Sequence, residues 1–247
     1  MYLSLRDDKL ALKECERLAK HNIPALACPL FQLVKQDIDL ASYDKIDAFI
    51  LTSQKAAHAL PAHLTDVPVY VVGRASAAII RQKGFHNIIA GPDDGKALAQ
   101  IIKDDFANKT LSGKTASLLW LRGKDISFDM AAALQNSMIQ LSSVICYQMQ
   151  AISHLPPLVT DALASGKITG VMALSKGQLA QFEELLSRQK LWQIHKQLVL
   201  FAISDAIADE AHLSQWHKIM TARRKRAVSV RAQVACYHRQ KAERDGS

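Results

Sequence analysis

The chain has 247 residues, of which 49% are hydrophobic and 22% are charged, and its formal net charge is +8. This composition is typical of a folded protein with one large or two small domains, and it excludes disordered and collagen-like chains. The longest apolar runs, such as Leu198–Ile203, are strand-sized and shorter than the roughly 18 residues of a membrane span. The N-terminal residues lack a signal-peptide core, so we expect a cytoplasmic protein.

Short apolar runs alternate with segments of helical periodicity along the whole chain. The predicted strands are Tyr2–Leu5, Ala25–Cys28, Ala48–Leu51, Val69–Val72, Asn87–Ala90, Ser117–Leu121, Val144–Met149, Gly170–Leu174, Leu198–Ile203 and Lys218–Thr221. The helical segments between them include Lys9–Lys20, Ala75–Lys83, Lys96–Ala107, Phe128–Asn136 and Gly177–Arg188. This alternation predicts an α/β fold of parallel sheets flanked by helices on both faces. Because ten strands exceed a typical single sheet, we expect two lobes with a five-stranded sheet each.

An internal repeat supports the division into two lobes. Four segments recur later in the chain in the same order: Tyr2–Arg6 with Leu118–Arg122, Ala25–Cys28 with Ser143–Cys146, Phe49–Ser53 with Val171–Ser175, and Val69–Gly73 with Leu200–Ser204. Each match is weak alone. Their common order indicates a duplicated α/β unit with insertions in its loops.

Small, hydroxyl and basic residues follow most of the predicted strands. They are Arg6, Thr52, Ser53, Gly73, Ser76, Arg122, Gly123, Ser175, Lys176 and Ser204. Ligands of open parallel sheets bind at the carboxyl ends of the strands, where the N–H groups of helix starts attract anions. Any one of these residues could simply be a good helix cap. Their repetition in both lobes predicts a cleft for a ligand with several carboxylates or phosphates.

Signatures of several common sites are missing from the sequence. It contains no Gly-x-Gly-x-x-Gly motif, no Walker A loop and no Gly-x-Ser-x-Gly elbow. The four cysteines are scattered, and His212 and His217 are five residues apart, which points them to different sides of a helix. We therefore expect a site that uses no metal, nucleotide or other cofactor.

Most of the net charge lies near the C-terminus, where residues 222–247 contain eight Lys and Arg residues against two acidic ones. A basic cluster of this kind occurs in nucleic-acid-binding patches, but no aromatic interleaving or nucleic-acid-binding motif accompanies it. We interpret it as a solvated final helix with a polar tail. We accordingly expect neither nucleic acid nor a membrane as a partner.

Five segments, taken in order, resemble the uroporphyrinogen-III synthase family. They are Phe49–Ala57 (FILTSQKAA), Val71–Phe85 (from VVGRASAA to KGF), Leu119–Gly123 (LWLRG), Val144–Tyr147 (VICY) and Ala173–Gly177 (ALSKG). The resemblance extends over most of the chain and implies two α/β lobes joined by a two-stranded linker. On this chain the implied lobes are residues 1–30 with 152–247, and residues 38–142, with linkers at 31–37 and 143–151.

The resemblance also implies an activity. It is that of a lyase that cyclises hydroxymethylbilane, a linear tetrapyrrole with eight carboxylates, to uroporphyrinogen III with inversion of ring D and loss of water. Such a reaction suits a site without metal or cofactor. We expect a monomer whose partners are this small-molecule substrate and, transiently, the deaminase that precedes it.

Residue roles follow from the same resemblance. Tyr147 matches the tyrosine beside the family's cleft and is the candidate acid for the departing hydroxyl, because a phenol is protonated at neutral pH. It could instead be a linker tyrosine that packs on a lobe. Candidate carboxylate binders by position in the family motifs are Thr52, Ser53, Gly73, Ser76 and Ser175. Arg6 and Arg122 match arginines after each lobe's first strand, where they are either substrate ligands or structural ion-pair partners.

Two departures from the family pattern bear on the substrate. Ile203–Ala206 reads Ile-Ser-Asp-Ala where the family usually has Ile-Gly-Pro-Thr, and Asp7 stands where a proline is usual. A carboxylate at Asp205 would repel a polycarboxylate if it faced the cleft. Two other functions stay open at this point: a non-catalytic two-lobed protein that binds polyanions or tetrapyrroles, and an RNA- or membrane-surface-binding protein that uses Arg223–Arg226.

Overall fold

The computed structural model describes residues 1–43, 45–92, 94–107, 115–135, 137–211 and 215–245. Asn136, the predicted end of a helix, and His212 of the histidine pair lie outside the described residues. The chain forms two compact units: unit 1 comprises Met1–Gln32 and Gln150–Ser247, and unit 2 comprises Leu33–Met149.

Strands and helices alternate through both units, as the apolar pattern predicts. The strands are β1 (Tyr2–Ser4), β2 (Ala25–Ala27), β3 (Phe31–Lys35), β4 (Ala48–Leu51), β5 (Val69–Val72), β6 (Ile88–Gly91), β7 (Ala116–Gly123), β8 (Ile139–Ala151), β9 (Gly170–Ala173), β10 (Val199–Ala202) and β11 (Lys218–Thr221). The α-helices are α1 (Asp8–Ala19), α2 (Arg74–Gln82), α3 (Gly95–Ala107), α4 (Met130–Leu134), α5 (Pro157–Ala164), α6 (Lys176–Arg188), α7 (Asp205–Ala211) and α8 (Ala227–Asp245). Short 3-10 helices cover Gln54–Ala59 and Trp192–Gln197.

Unit 1 is built on a five-stranded sheet in the order β11-β10-β9-β1-β2, and all its strand pairs are parallel. Its central strands are apolar throughout because both faces of the sheet are covered. Alternate residues enter two separate cores: Val171 packs with Leu3 on one face, whereas Met172 packs with Tyr2 on the other. The α/β class of the prediction is confirmed.

Unit 2 contains a sheet in the order β3-β8-β7-β4-β5-β6. Five of these strands, β6-β5-β4-β7-β8, are parallel, as predicted, and β3, which lies within the predicted linker 31–37, pairs with β8 and adds a sixth. Backbone bonds join Gln36 N–H to Cys146 O and Ile152 N–H to Leu30 O, both at 2.9 Å. Since residue numbers rise on one strand as they fall on the other, β3 and β8 are antiparallel.

The two sheets share one strand order. The order β11-β10-β9-β1-β2 in unit 1 corresponds, strand by strand, to β6-β5-β4-β7-β8 in unit 2. The two members of each of the four repeated sequence segments lie on corresponding strands. The repeat in the sequence therefore reflects a repeat in topology. No helix in the described ranges combines the length and the apolar character needed to cross a membrane.

Candidate functional site

The strand register of unit 2 aligns several candidate residues at the carboxyl edge of its sheet. Leu51 of β4 is paired with Val71 of β5 on one side and with Leu121 of β7 on the other. Two residues further along each strand are Ser53, Gly73 and Gly123, and Gly123 is paired with Tyr147 of β8. Ser53, Gly73 and Gly123 thus lie at the ends of three adjacent strands, as expected for a binding edge of a parallel sheet, and Tyr147 lies beside them within β8.

The ring of Tyr147 lies against the backbone of Gly123. A Cβ atom at position 123 would stand 2.7 Å from Cζ of Tyr147 and 2.9 Å from its hydroxyl oxygen, distances that real side chains do not adopt. Gly123 is therefore required for the observed ring position. Tyr147 is 8% exposed, and its hydroxyl has no hydrogen-bond partner among the described residues while its oxygen is not sealed from solvent. This phenol can donate its proton to a ligand.

Serines begin the helical segments after corresponding strands of the two units. Ser53 Oγ accepts a hydrogen bond from Lys55 N–H at 3.3 Å, and Ser175 Oγ accepts one from Gln178 N–H at 3.2 Å. Both are thus genuine N-caps, as the simpler interpretation of the strand ends proposed. Because an N-cap hydroxyl is used as an acceptor, its own hydrogen remains available to a carboxylate.

The turn between β5 and α2 places Gly73 and Ser76 differently from each other. Gly73 has φ +77, a conformation that favours glycine, and its N–H donates to Gly91 O at 3.2 Å. Ser76 lies in the first turn of α2 and is buried, with 7% exposure. The N–H of Gly73 is therefore already hydrogen-bonded, and most of the Ser76 side chain is inaccessible to a ligand at this edge.

Arg122 is held by neutral groups. Its Nη1 donates to Gly123 O at 3.0 Å and to Lys124 O at 3.3 Å, and its guanidinium lies 5.5 Å from the ring centre of Trp120. The indole N–H of Trp120 in turn donates to Thr52 Oγ1 at 3.3 Å. No carboxylate pairs with Arg122 among the described residues, so its positive charge is uncompensated at the edge.

A cleft of about 320 Å³ opens beside Thr52 within unit 2. It is lined by residues that follow β4, β6 and β7, among them Gly95, Lys96 and Phe128. The Phe128 ring occupies the space that a Cβ on Gly95 would fill, at 2.6 Å. Sequence reasoning missed Gly95 and Lys96, because neither stands in a recognisable motif.

His58 is a second residue that sequence reasoning missed. Its Nδ1 lies 2.8 Å from Lys55 O and its Nε2 lies 3.1 Å from Cys146 O. The ring therefore links the 3-10 helix after β4 to β8, one residue before Tyr147. Nothing in the pattern of nine histidines distinguishes this one, because its role depends on the pairing of distant strands.

The Cys146 thiol beside Tyr147 is a structural group. Burial raises the pKa of Cys146 to about 11, and the thiol donates a hydrogen bond to Arg122 O at 3.3 Å. A thiol held in its protonated form is a poor nucleophile. This leaves the phenol next to it as the group of this strand that can take part in proton transfer.

Arg6 of unit 1 is an ion-pair partner. Glu14 of α1 is 2% exposed and accepts hydrogen bonds from Arg6 Nη1 at 3.1 Å and from Arg231 Nη1 of α8 at 2.7 Å. One buried carboxylate thus joins two arginines. Of the two roles open for Arg6, the structure shows the structural one, and the cluster retains one surplus positive charge.

Ser175, Lys176 and Ser204 follow β9 and β10 at the carboxyl edge of the unit 1 sheet. Lys176 Nζ pairs with Glu210 at 2.8 Å, on the surface of the unit. The carbonyl of Ser204 accepts the N–H groups of Ile207 and Ala208, which starts α7. Asp205 is exposed in the first turn of that helix, where a carboxylate is favoured by the helix dipole.

A metal site is not found among the described ranges: no three His, Cys, Asp or Glu side chains are grouped so as to hold an ion. The chemistry offered by the two strand-end edges is hydrogen-bond donation by hydroxyl groups and helix starts, together with arginine and lysine charges. Donors of this kind suit an anionic organic ligand.

Comparisons with known proteins agree with this picture. A family model described as uroporphyrinogen-III synthase HemD matches residues 14–230. The uroporphyrinogen-III synthase of Saccharomyces cerevisiae is 30% identical over 122 residues, so that the match spans 44% of this chain and 44% of the yeast protein.

A solved structure, uroporphyrinogen-III synthetase from Helicobacter pylori, is similar with a TM-score of 0.61 at 14% identity, over 93% of this chain and 95% of that one. At that identity the likeness shows a shared fold. The family model, which matches most of the chain, confirms the resemblance derived from the sequence. The chain belongs to the uroporphyrinogen-III synthase family.

Proposed function

We propose that the protein is a lyase that cyclises hydroxymethylbilane to uroporphyrinogen III, inverting ring D and releasing water. The family match supports this assignment, and a non-catalytic binding role is not favoured by it. The observation in the fold that carries the proposal is the phenol of Tyr147, which has no hydrogen-bond partner among the described residues and is paired with Gly123 at the end of β7.

The chemistry requires an acid at one step. Protonation of the hydroxymethyl oxygen lets water leave, and the carbon left behind becomes part of an electrophilic azafulvene. Ring D attacks this carbon through its substituted position and forms a spiro intermediate, which fragments and recloses at the other position of the inverted ring. Loss of a proton from the ring carbon balances the proton first donated, so water is the sole by-product.

Tyr147 is the group that we assign to the first proton transfer. Its hydroxyl has no hydrogen-bond partner among the residues that the structure describes, and the ring position is dictated by contact with Gly123. The thiol of Cys146 next to it stays protonated and bonded to a backbone oxygen. General-acid assistance by a positioned side chain is typically worth about 10²–10⁴-fold in rate.

Carboxylate binding falls to the strand-end donors. Thr52, Ser53, Ser175 and Ser204 present hydroxyl groups at the edges of the two sheets, and Arg122 adds positive charge at the unit 2 edge. Lys176 lies at the unit 1 edge with Glu210 as its ion-pair partner. Arg6 acts indirectly, through Glu14. Gly73 and Ser76 contribute chiefly through the shape of the turn before α2, because the N–H of one and the side chain of the other are occupied or buried.

We place this enzyme in the cytoplasm as a monomer that receives its unstable substrate from the preceding deaminase. Size-exclusion chromatography with light scattering tests the monomer, with a mass near 27.3 kDa as the expected result. A stable dimer would contradict that part of the proposal and leave the activity to be tested separately.

The activity is tested by supplying freshly generated hydroxymethylbilane and resolving the porphyrin isomers after oxidation. The expected result is isomer III as the main product, well above the spontaneous background of isomer I, without added metal or cofactor. Production of isomer I alone, at the rate seen without protein, would refute the proposal.

A further inference from the structure

Four consecutive basic residues follow the last strand of the unit 1 sheet: Arg223, Arg224, Lys225 and Arg226, here called the basic loop. Because β11 is parallel to β10, the basic loop lies at the same carboxyl edge as the segments that follow β9 and β10. All four side chains are exposed. Within the described part of the chain no carboxylate forms a salt bridge with any of them.

The rest of this edge has little positive charge to offer. Between the ends of β1, β9 and β10 and the first residue of the helix that follows each of them, the sequence contributes two cations against three carboxylates, Asp7, Asp8 and Asp205. Both cations already have carboxylate partners, since Arg6 pairs with Glu14 and Lys176 with Glu210. Without the basic loop the edge would repel a polycarboxylate, and with it the sign of the local charge is reversed.

The helix that follows adds to the same effect. The 19-residue α8 begins directly after the basic loop, so its first N–H groups and the positive end of its dipole lie at this edge. Its opposite end lies at the other edge of the sheet, because the Tyr2 hydroxyl at the start of β1 is 3.3 Å from Nδ1 of His238. The two ends of the 19-residue α8 are therefore about 27 Å apart at 1.5 Å per residue.

We infer that the basic loop is a binding site for substrate carboxylates. It supplies the positive charge that is absent from the segment after β10, where Asp205 is negative. The inference rests on the proposed function for the identity of the ligand, a tetrapyrrole with eight carboxylates. Exposed cations attract such a ligand electrostatically, and dissolved salt screens this attraction. We therefore expect them to change the affinity for the ligand more than kcat.

The test compares two triple variants that each remove two arginines and one lysine, one from the basic loop before α8 and one from the C-terminal part of α8. The loop variant is Arg223→Gln, Arg224→Gln and Lys225→Gln. The control variant is Arg239→Gln, Lys241→Gln and Arg244→Gln. Binding of uroporphyrin III, the oxidised octacarboxylic product, is followed by fluorescence, and steady-state kinetics are measured with hydroxymethylbilane.

The loop variant should bind uroporphyrin III about tenfold more weakly and show a similar rise in KM with kcat within about twofold of wild type, since several exposed charges act together. The control variant should stay within about twofold on every measure. Raising the salt concentration should weaken binding to the wild-type protein more than to the loop variant. The single variant Arg224→Gln, with a smaller shift in the same direction, gives the same information if the triple variant does not fold.

Equal weakening in the two triple variants, or none in either, would overturn the inference. So would loss of RNA binding by the loop variant with uroporphyrin III binding unchanged, because the basic loop would then serve nucleic acid. A wild-type protein that binds uroporphyrin III through the basic loop yet forms no isomer III would refute the proposed activity and support the carboxylate site.

Discussion

The two units have the same strand order but differ in how the cations at their carboxyl edges are held. In unit 2, Arg122 is bonded to backbone carbonyls and lies over Trp120, so that its charge is not matched by a carboxylate among the described residues. In unit 1, Arg6 and Lys176 are each paired with a glutamate, and four exposed cations without a carboxylate partner among the described residues lie in the basic loop.

This difference shows that the residues that determine the fold are not those that determine the chemistry of each edge. Strand order follows from buried apolar residues such as Ile50 and Val171, which the two units share in pattern. The character of each edge follows from the few residues after the strands, which lie outside the cores and vary independently. A duplicated topology thus supports two unequal edges, one with a free phenol and one with a basic loop.

The largest expected effect concerns the buried carboxylate of unit 1. Replacing Glu14 by Gln leaves Arg6 and Arg231 together without the charge that holds them, and such a loss is expected to lower the free energy of unfolding by about 3 kcal/mol. Urea denaturation followed by circular dichroism measures it.

The matched control is Glu210→Gln, which removes the exposed partner of Lys176 and should cost less than about 0.5 kcal/mol. If both variants lose the same stability, the Glu14 cluster is no stronger than a surface ion pair. The contrast drawn between buried and exposed pairing in unit 1 would then be wrong.

The next effect belongs to unit 2. Gly123→Ala introduces a Cβ within 2.7 Å of Tyr147 and should displace the ring, with an expected fall of about 100-fold in kcat/KM, the size of a lost positioned acid. The assay measures the initial rate of isomer III formation as a function of the hydroxymethylbilane concentration. Gly177→Ala at the unit 1 edge serves as control, because a Cβ there meets nothing within 4 Å.

The control should retain activity and gain up to about 1 kcal/mol of stability, since alanine is favoured over glycine in a helix. Full activity in Gly123→Ala would show that the contact between Gly123 and Tyr147 is not needed for the reaction. An equal loss in Gly177→Ala would show that the assay reports on general damage to the strand ends.

A smaller effect compares the thiols at corresponding strand positions of the two units. Burial raises the pKa of Cys28 to about 12 and that of Cys146 to about 11, from an ordinary value of 9.0. The folded state therefore keeps protons that the unfolded state releases first. The stability linked to these groups is complete below the unfolded pKa and is lost as the pH rises through the folded values.

We expect the wild-type protein to lose about 1 kcal/mol or more of unfolding free energy per buried thiol between pH 8 and pH 10. The Cys28→Ala variant should lose less unfolding free energy over this pH range. The Cys236→Ala variant, changed at an exposed position, should lose as much as the wild-type protein. If the unfolding free energy falls equally with pH in all three proteins, groups other than Cys28 cause the loss of stability at alkaline pH.

The sequence predicts the parts of the fold that depend on local pattern. Ala48–Leu51, Val69–Val72 and Lys218–Thr221 have the predicted bounds. In the first two, a continuous apolar run between turn residues specifies a buried parallel strand. Phe31–Lys35 was assigned to a linker, and its place in the unit 2 sheet depends on pairing with a strand more than a hundred residues away.

The candidate site is predictable to a smaller extent. The strand-end positions of Ser53 and Ser175 follow from turn chemistry, and both residues cap helical segments. The pairing of Arg6 with Glu14 and the contact of Gly123 with Tyr147 require the register of separate elements. No local rule contains that information, so sequence reasoning left the role of Arg6 open and did not find His58.

The most direct test of the central claim is the kinetics of Tyr147→Phe, which removes one hydroxyl and keeps the ring on Gly123. Because that hydroxyl has no partner in the described structure, the free energy of unfolding should change by less than about 0.5 kcal/mol. We predict a fall in kcat of roughly 10–100-fold with KM for hydroxymethylbilane within about twofold, because a phenol is a weak acid at neutral pH and general-acid help is partial. Wild-type kcat with an unchanged ratio of isomer III to isomer I would contradict the account and make Tyr147 a packing residue.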